Sequence, residues 1–252
     1  MEQTDHLDLC WRVEQSCLDA WPAARTIEVD GWLVRSSGGP TRRTNSINPQ
    51  RHAPRDPASA IPTLAELYAN SGQPLIFRVP SIAGGTDAAL DALGFGPPEA
   101  ETVTLFADIA GTGPSQHVEL NSSPGPEWLA ARARLNREDA AASAVFRAMT
   151  TALATPVRFA AARDGGGIAA IAYGAIRQRL LVIEAVATDV VCRRRGHARR
   201  MVGALMEWAR EHGAEAACLQ VVADNDAAIA LYRSLGFERE LYRYHYRRRP
   251  EP

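Results

Sequence analysis

The 252-residue chain has no surplus of either charge: 28 Lys and Arg stand against 29 Asp and Glu, a formal net charge of −1. That balance excludes a basic coat for nucleic acid or for an anionic membrane as the main means of recognition. Long apolar runs are missing as well, and no stretch approaches the roughly 20 residues a membrane helix needs. Met1 to Asp8 is polar and acidic, without the basic start and apolar core of a secretory signal. Cysteine is scarce, and Cys10, Cys17, Cys192 and Cys218 fit neither a disulfide framework nor a zinc spacing. Cys10 and Cys17 fall two turns apart on a predicted helix, about 10 Å, too far to bridge. These absences imply reduced thiols, no metal and a cytoplasmic protein. What is present is a globular mixture, 46% apolar and 23% charged, long enough for two lobes.

The pattern predicts a helix from Thr4 to about Ala20, stopped by Pro22, with Leu7, Cys10, Trp11, Cys17, Leu18 and Trp21 on one face. Thr26 to Val29 and Trp32 to Arg35 flank Asp30-Gly31, a dipeptide suited to a tight hairpin. Thr41 to Asn48 reads as a further strand, and residues 49–59 as a Pro-rich loop. Helices over 61–69 and 87–93 alternate with strands over 75–79 and 102–109. This makes residues 1–110 one lobe, 111–116 a linker and 117–252 a second lobe. In the second lobe, strands are expected over 117–120, 156–163, 168–177, 180–188, 216–222 and 240–247. Helices are expected near 126–135 and 137–153, over 196–212 and over 226–235. The class is α/β with a mixed sheet. Leu90-Asp-Ala-Leu-Gly94-Phe95 echoes Leu231-Tyr-Arg-Ser-Leu-Gly236-Phe237, and the order of elements around the two agrees. The echo points to a duplicated fold, although a helix ending in Leu-Gly-Phe also arises by chance.

The strongest local signal is a strand running into Arg193-Arg-Arg-Gly196-His-Ala198 and then a helix. Gly196 admits close approach of backbone to a ligand. The open amides of a helix start form an anion site, for which a pyrophosphate is the natural guest. Arg193, Arg194, Arg195, Arg199 and Arg200 add charge around the same turn. Taken alone, the turn is equally a solvated basic surface. About 30 residues on comes Asn225-x-x-Ala228-x-x-Leu231-Tyr232-x-x-x-Gly236-Phe237, in which Tyr232 alone would read as a core aromatic.

The two motifs in this order resemble the GNAT superfamily of acetyl-CoA-dependent N-acetyltransferases over roughly residues 117 to 249. The resemblance implies a GNAT fold in the second lobe and a degenerate GNAT-like repeat in the first. It implies that Arg193, Gly196 and Ala198, with the amides of Arg194, Arg195, His197 and Arg199, hold the CoA pyrophosphate. It further implies that Val186, Ala187 and Thr188 pair with the pantetheine arm, that Asn225 reaches the cofactor, and that Tyr232 protonates the leaving thiolate. Ala198 stands where the family more often has a second Gly. In such an enzyme a neutral amine attacks the thioester directly, an amide near Ala187 meets the oxyanion, and a base takes the ammonium proton. Glu184 is the first candidate base and His245 the second; each also reads as a paired or packed side chain. Cys192, beside the arginines, has no His or Asp partner in its spacing and is not assigned as a nucleophile.

Residues 1–110 repeat the order of elements but lack the Arg-x-x-Gly turn, so they are not expected to hold CoA. Their Arg35, Arg42, Arg43 and Asn45 either meet a carboxylate on the acceptor or are surface charges on a hairpin. The leading expectation is transfer of acetyl to a primary amine of a small molecule, an amino acid or a peptide, by a monomer or homodimer. The alternative is a non-catalytic acyl-CoA-binding regulatory protein. A nucleic-acid footprint is disfavoured by the charge balance and by the lack of aromatics among residues 193–200.

Overall fold

The computed structural model describes residues 2–70, 72–109, 117–154 and 156–250. Helix α1 (Glu2–Ala20) buries Cys10, Val13, Cys17 and Ala20 along one stripe. Hairpin strands β1 (Arg25–Val29) and β2 (Trp32–Ser36) turn through Asp30 and Gly31, both at positive φ, as the Asp-Gly dipeptide predicts. Thr41–Asn48 is not the expected strand. Arg42–Thr44 forms a single 3-10 turn, and β3 is confined to Ile47–Pro49. The cause is Asn45, whose side chain accepts from the Ser37 and Gly38 amides and donates to the Gly38 and Thr41 carbonyls. These local bonds replace a strand ladder.

Helix α2 (Ile61–Ala69), β4 (Ile76–Pro80), α3 (Thr86–Ala92) and β5 (Glu99–Asp108) complete the first half of the chain. The expected linker, 111–116, lies outside the described residues. Then follow β6 (Val118–Asn121), α4 (Pro126–Asn136), α5 (Ala140–Thr151), β7 (Val157–Asp164), β8 (Gly167–Arg177) and β9 (Leu180–Thr188). The chain ends through α6 (His197–Glu211), β10 (Ala216–Val222), α7 (Asp226–Arg233) and β11 (Arg239–Arg248).

All eleven strands join one mixed sheet in the order β1-β2-β3-β4-β11-β5-β10-β9-β8-β7-β6. The halves interleave. Strand β5 lies between β11 and β10, and β11 lies between β4 and β5, all antiparallel. Outward from that central pair each side carries one parallel pair, β3–β4 and β9–β10. Each parallel pair is joined by a crossover helix, α2 or α6, as parallel strands require. The sheet thus repeats itself about its centre, each side bordered by the last strand of the other.

The junction is held by a buried ion pair. Glu14 of α1 meets Arg78 of β4, both almost wholly out of solvent. The Tyr242 hydroxyl of β11 donates to the same carboxylate at 2.7 Å, and the Arg78 guanidinium lies 3.6 Å from the Tyr244 ring centre. On the other side, α6 buries Met201, Val202, Leu205 and Ala209 against β7, β8 and β9. Gly174 permits this close approach, since a Cβ there would stand 2.7 Å from Leu181 and 3.3 Å from Leu205. Among the described residues, no helix is long and apolar enough to cross a membrane.

Candidate functional site

Strands β9 and β10 pair in parallel only from Leu180↔Ala216 to Ile183↔Leu219. Beyond these residues both strands continue but are no longer paired, and a cleft opens between Glu184–Thr188 and Gln220–Val222. Against β8 the register of β9 slips between Ile171↔Ala187 and Tyr173↔Glu184. Ala185 and Val186 therefore share one opposing residue, and Ala185 adopts φ +54°. Such a bulge breaks the ladder and re-aims backbone groups.

The end of β9 leads through a one-turn 3-10 segment, Val190–Cys192, held by the Asp189 carboxylate accepting from the Val191 amide. The chain then passes Arg194 (φ +66°) and Gly196 (φ +78°) and enters α6. No side chain caps that helix, so its first amides have no side-chain acceptor at the positive end of the helix dipole. A cavity of about 1110 Å³ runs along β9 and β10 and is walled by this turn and by α7. Every cofactor position inferred from sequence except Arg195 lines it: Val186, Ala187, Thr188, Arg193, Arg194, Gly196, His197, Ala198, Arg199, Asn225 and Tyr232.

The arginines divide into two sets. The side chains of Arg193 and Arg194 make no hydrogen bond or salt bridge among the described residues. Arg195 instead turns to Asp164 at 2.7 Å, and Arg199 bonds to Ser234. His197 is buried and lies between Asp164 and Arg200. The hydrogen bond from Arg195, then that from His197, holds the Asp164 carboxyl below the usual range. Asn225 caps α7, its side-chain oxygen accepting from the Ala228 amide at 3.2 Å. Tyr232 is buried at 6% exposure. Burial, and then the Glu184 charge, pushes its phenol up to about 12, so it keeps its proton at neutral pH.

Glu184 lines the cavity too, but on the opposite face of the sheet, where it is not free. Arg43, carried on the 3-10 turn of the first half, donates to both carboxylate oxygens at 2.7 and 2.8 Å and to Gln220 Oε1 at 2.6 Å. Arg43 thereby ties β9 to β10 at the first residues past their last pair. Its guanidinium stacks 4.9 Å from the Trp21 ring centre, and its carbonyl accepts from Arg35 at 2.8 Å.

Several sequence expectations change here. Arg35 is buried and spends its donors on the Arg43, Leu18 and Trp21 carbonyls. Arg42 pairs with Glu99, and Asn45 is spent on its own loop. These three neither wait for a carboxylate nor lie free on a surface. His245 lies away from the cavity, 2.6 Å from Asp87 on α3. For Arg43 the sequence offers an acceptor carboxylate or a hairpin surface, and instead it meets the protein's own Glu184, a contact across 141 residues that nothing in local spacing reveals. Trp21, expected only on the apolar face of the first helix, and Arg132, which no motif marks, also line the cavity.

Comparison with known proteins identifies relatives along nearly the whole chain. Residues 11–248 match the family described as "Probable histone acetyltransferase Rv0428c C-terminal". An uncharacterized N-acetyltransferase of Bacillus subtilis, YobR, is 22% identical over 94% of this chain and 97% of its own length. A stretch of 57 residues is 47% identical to the uncharacterized protein ML0378 of Mycobacterium leprae, covering 23% of this chain and 15% of that protein's length. Among solved structures, a GCN5-related N-acetyltransferase from Kribbella flavida superposes with a TM-score of 0.70, at 17% identity and over 96% of both chains. A tandem GNAT protein from the clavulanic acid biosynthesis pathway superposes at 0.64 with 15% identity, over 98% of this chain and 94% of that one.

Proposed function

Because the chain belongs to the GNAT superfamily of N-acetyltransferases, we propose that the cleft between β9 and β10 binds acetyl-CoA and passes its acetyl group to a primary amine. In this reading the pyrophosphate rests on the turn Arg193–Ala198, on the amides of Arg194, Arg195, His197 and Arg199, with Arg193 and Arg194 as the free cations. The pantetheine arm follows Val186, Ala187 and Thr188, and Asn225 and Tyr232 form the other wall. What carries the proposal is that the strand separation past Ile183 and Leu219, the uncapped helix start and Tyr232 all open on one cavity.

In the proposed reaction the amine nitrogen bonds to the thioester carbon while an amide freed by the bulge at Ala185–Val186 meets the oxyanion. The C–S bond then breaks and the thiolate takes the Tyr232 proton. Glu184 receives the ammonium proton; each carboxylate oxygen has a second lone pair beyond the one given to Arg43. The acceptor approaches from the α1 face, where Glu184 stands, opposite the CoA turn. Residues 117–252 form the catalytic half in this account, and residues 1–110 a degenerate GNAT-like half without a phosphate turn. The test is thiol release from acetyl-CoA across a panel of primary amines. Steady release supports the enzyme, whereas CoA binding with no release for any amine would leave a regulatory acyl-CoA binder.

A further inference from the structure

We propose that the acceptor is a small primary amine bearing a flat apolar body and a carboxylate, held in a chamber formed jointly by the two halves of the chain. The inference rests on the acyltransfer reading and adds the substrate class to it. The chamber has a volume of about 490 Å³, the size of a site for a small organic ligand. It adjoins the proposed CoA cleft, because Trp21, Arg43, Arg132 and Asn136 line both. Trp21 and Arg43 come from the first half; Arg132 and Phe146 come from the second.

The apolar part of the acceptor is implied by the walls. Trp21 and Phe146, with ring centres 5.6 Å apart, stand with Pro40, Val145 and Met149 around the space. The carboxylate is implied by Arg132, which is 8% exposed and lies 3.3 Å from the Phe146 ring centre. One of its terminal nitrogens pairs with Glu138, yet its Nε has no acceptor. Buried donors in native proteins rarely go without a partner. Burial holds this guanidinium below the usual arginine value despite Glu138, as expected of a cation short of negative charge.

The other charges around the chamber are paired or offset one another. Glu138 is committed to Arg132, and Asp139 caps α5 by accepting from the Ala142 amide at 2.7 Å. Arg137, exposed on the rim, makes no salt bridge among the described residues. Asp139 makes no ion pair among them either, so it offsets Arg137 on the rim, and the buried Arg132, short of an acceptor at Nε, is what favours an anionic substituent.

The decisive experiment compares L-phenylalanine, phenethylamine and a lysine-rich peptide as acceptors, following thiol release and product mass. The chain itself contains no lysine, its 28 basic residues all being arginine, so acetyl-lysine can arise only on the peptide. L-Phenylalanine should exceed phenethylamine in kcat/KM by about tenfold or more, the worth of one charge-assisted hydrogen bond, and both should exceed the peptide. Arg132→Lys should abolish the preference for the carboxylate. Ala142→Trp, a change within the chamber but outside the CoA cleft, should abolish calorimetric binding of L-phenylalanine and leave CoA affinity unchanged. Equal use of the two small amines, preference for the peptide, or full binding by Ala142→Trp would overturn the proposal. Failure to bind CoA would instead overturn the acyltransfer reading, and direct binding of L-phenylalanine would still decide the chamber.

Discussion

Tyr232 and Glu14 show what single side chains contribute and how unevenly sequence reveals it. Tyr232, proposed as the acid on the strength of a motif, is buried, and that burial defines a pH behaviour. With the phenol at about 12, the acid form is fully present at neutral pH and is lost only as pH rises through that value. The kcat profile should accordingly have no descending limb between about pH 8 and pH 10. Tyr232→Phe should lower kcat by about 10²-fold with acetyl-CoA affinity little changed; equal loss of both in stopped-turnover and binding assays would make the Tyr a cofactor ligand only. Glu14 and Arg78 were invisible in sequence, because charged residues are ordinarily exposed and nothing local marks a pair 64 residues apart. Glu14→Ala leaves a buried cation unpaired, at a cost of about 3–5 kcal/mol. At roughly 2–4 °C per kcal/mol for a chain of this size, Tm should fall by about 6–20 °C in calorimetry. Replacing both partners with Met should recover much of that loss.

At the scale of the element, most helices and strands were legible because periodicity and stop signals agree with burial. Helix α6 shows its apolar stripe plainly, and Gly213 ends it. Two features were not legible. Thr41–Asn48 has the composition of a strand, but the hydrogen bonds of Asn45 hold it as a turn that delivers Arg43 to the cleft. The bulge at Ala185 carries no glycine to announce it, and only the register against β8 reveals it. Glycine matters at two other places. Gly174→Val should destabilise the protein by about 1–3 kcal/mol in urea titration, since the added carbon falls 2.7 Å from Leu181. Gly196→Val acts differently: φ +78° is costly for any side chain, by about 1–2 kcal/mol, while the nearest atom is only the movable tip of Arg200. Its main effect should therefore be on the conformation of the proposed phosphate turn.

Across the whole molecule, the weak Leu-Gly-Phe echo of the sequence corresponds to two similar runs of elements placed symmetrically about β5 and β11. Sequence could suggest the repetition but not the exchange of the last strands, because strand pairing over more than a hundred residues leaves no local trace. The exchange has a consequence. Each half, expressed alone, would expose unpaired strand edges where its partner's strand belongs. Fragments 1–110 and 117–252 should co-purify one to one and unfold in a single transition; two independently folded fragments would contradict this. The acyl-CoA cleft, walled by the second half and bridged by Arg43 of the first, is the central claim. Its most direct test is calorimetric titration of acetyl-CoA into the intact chain and into Gly196→Val. The account predicts saturable one-to-one binding, weakened at least about tenfold (~1.4 kcal/mol) in a variant whose circular dichroism is unchanged; no heat at about millimolar acetyl-CoA (~−4 kcal/mol), or equal binding by the variant, would contradict it.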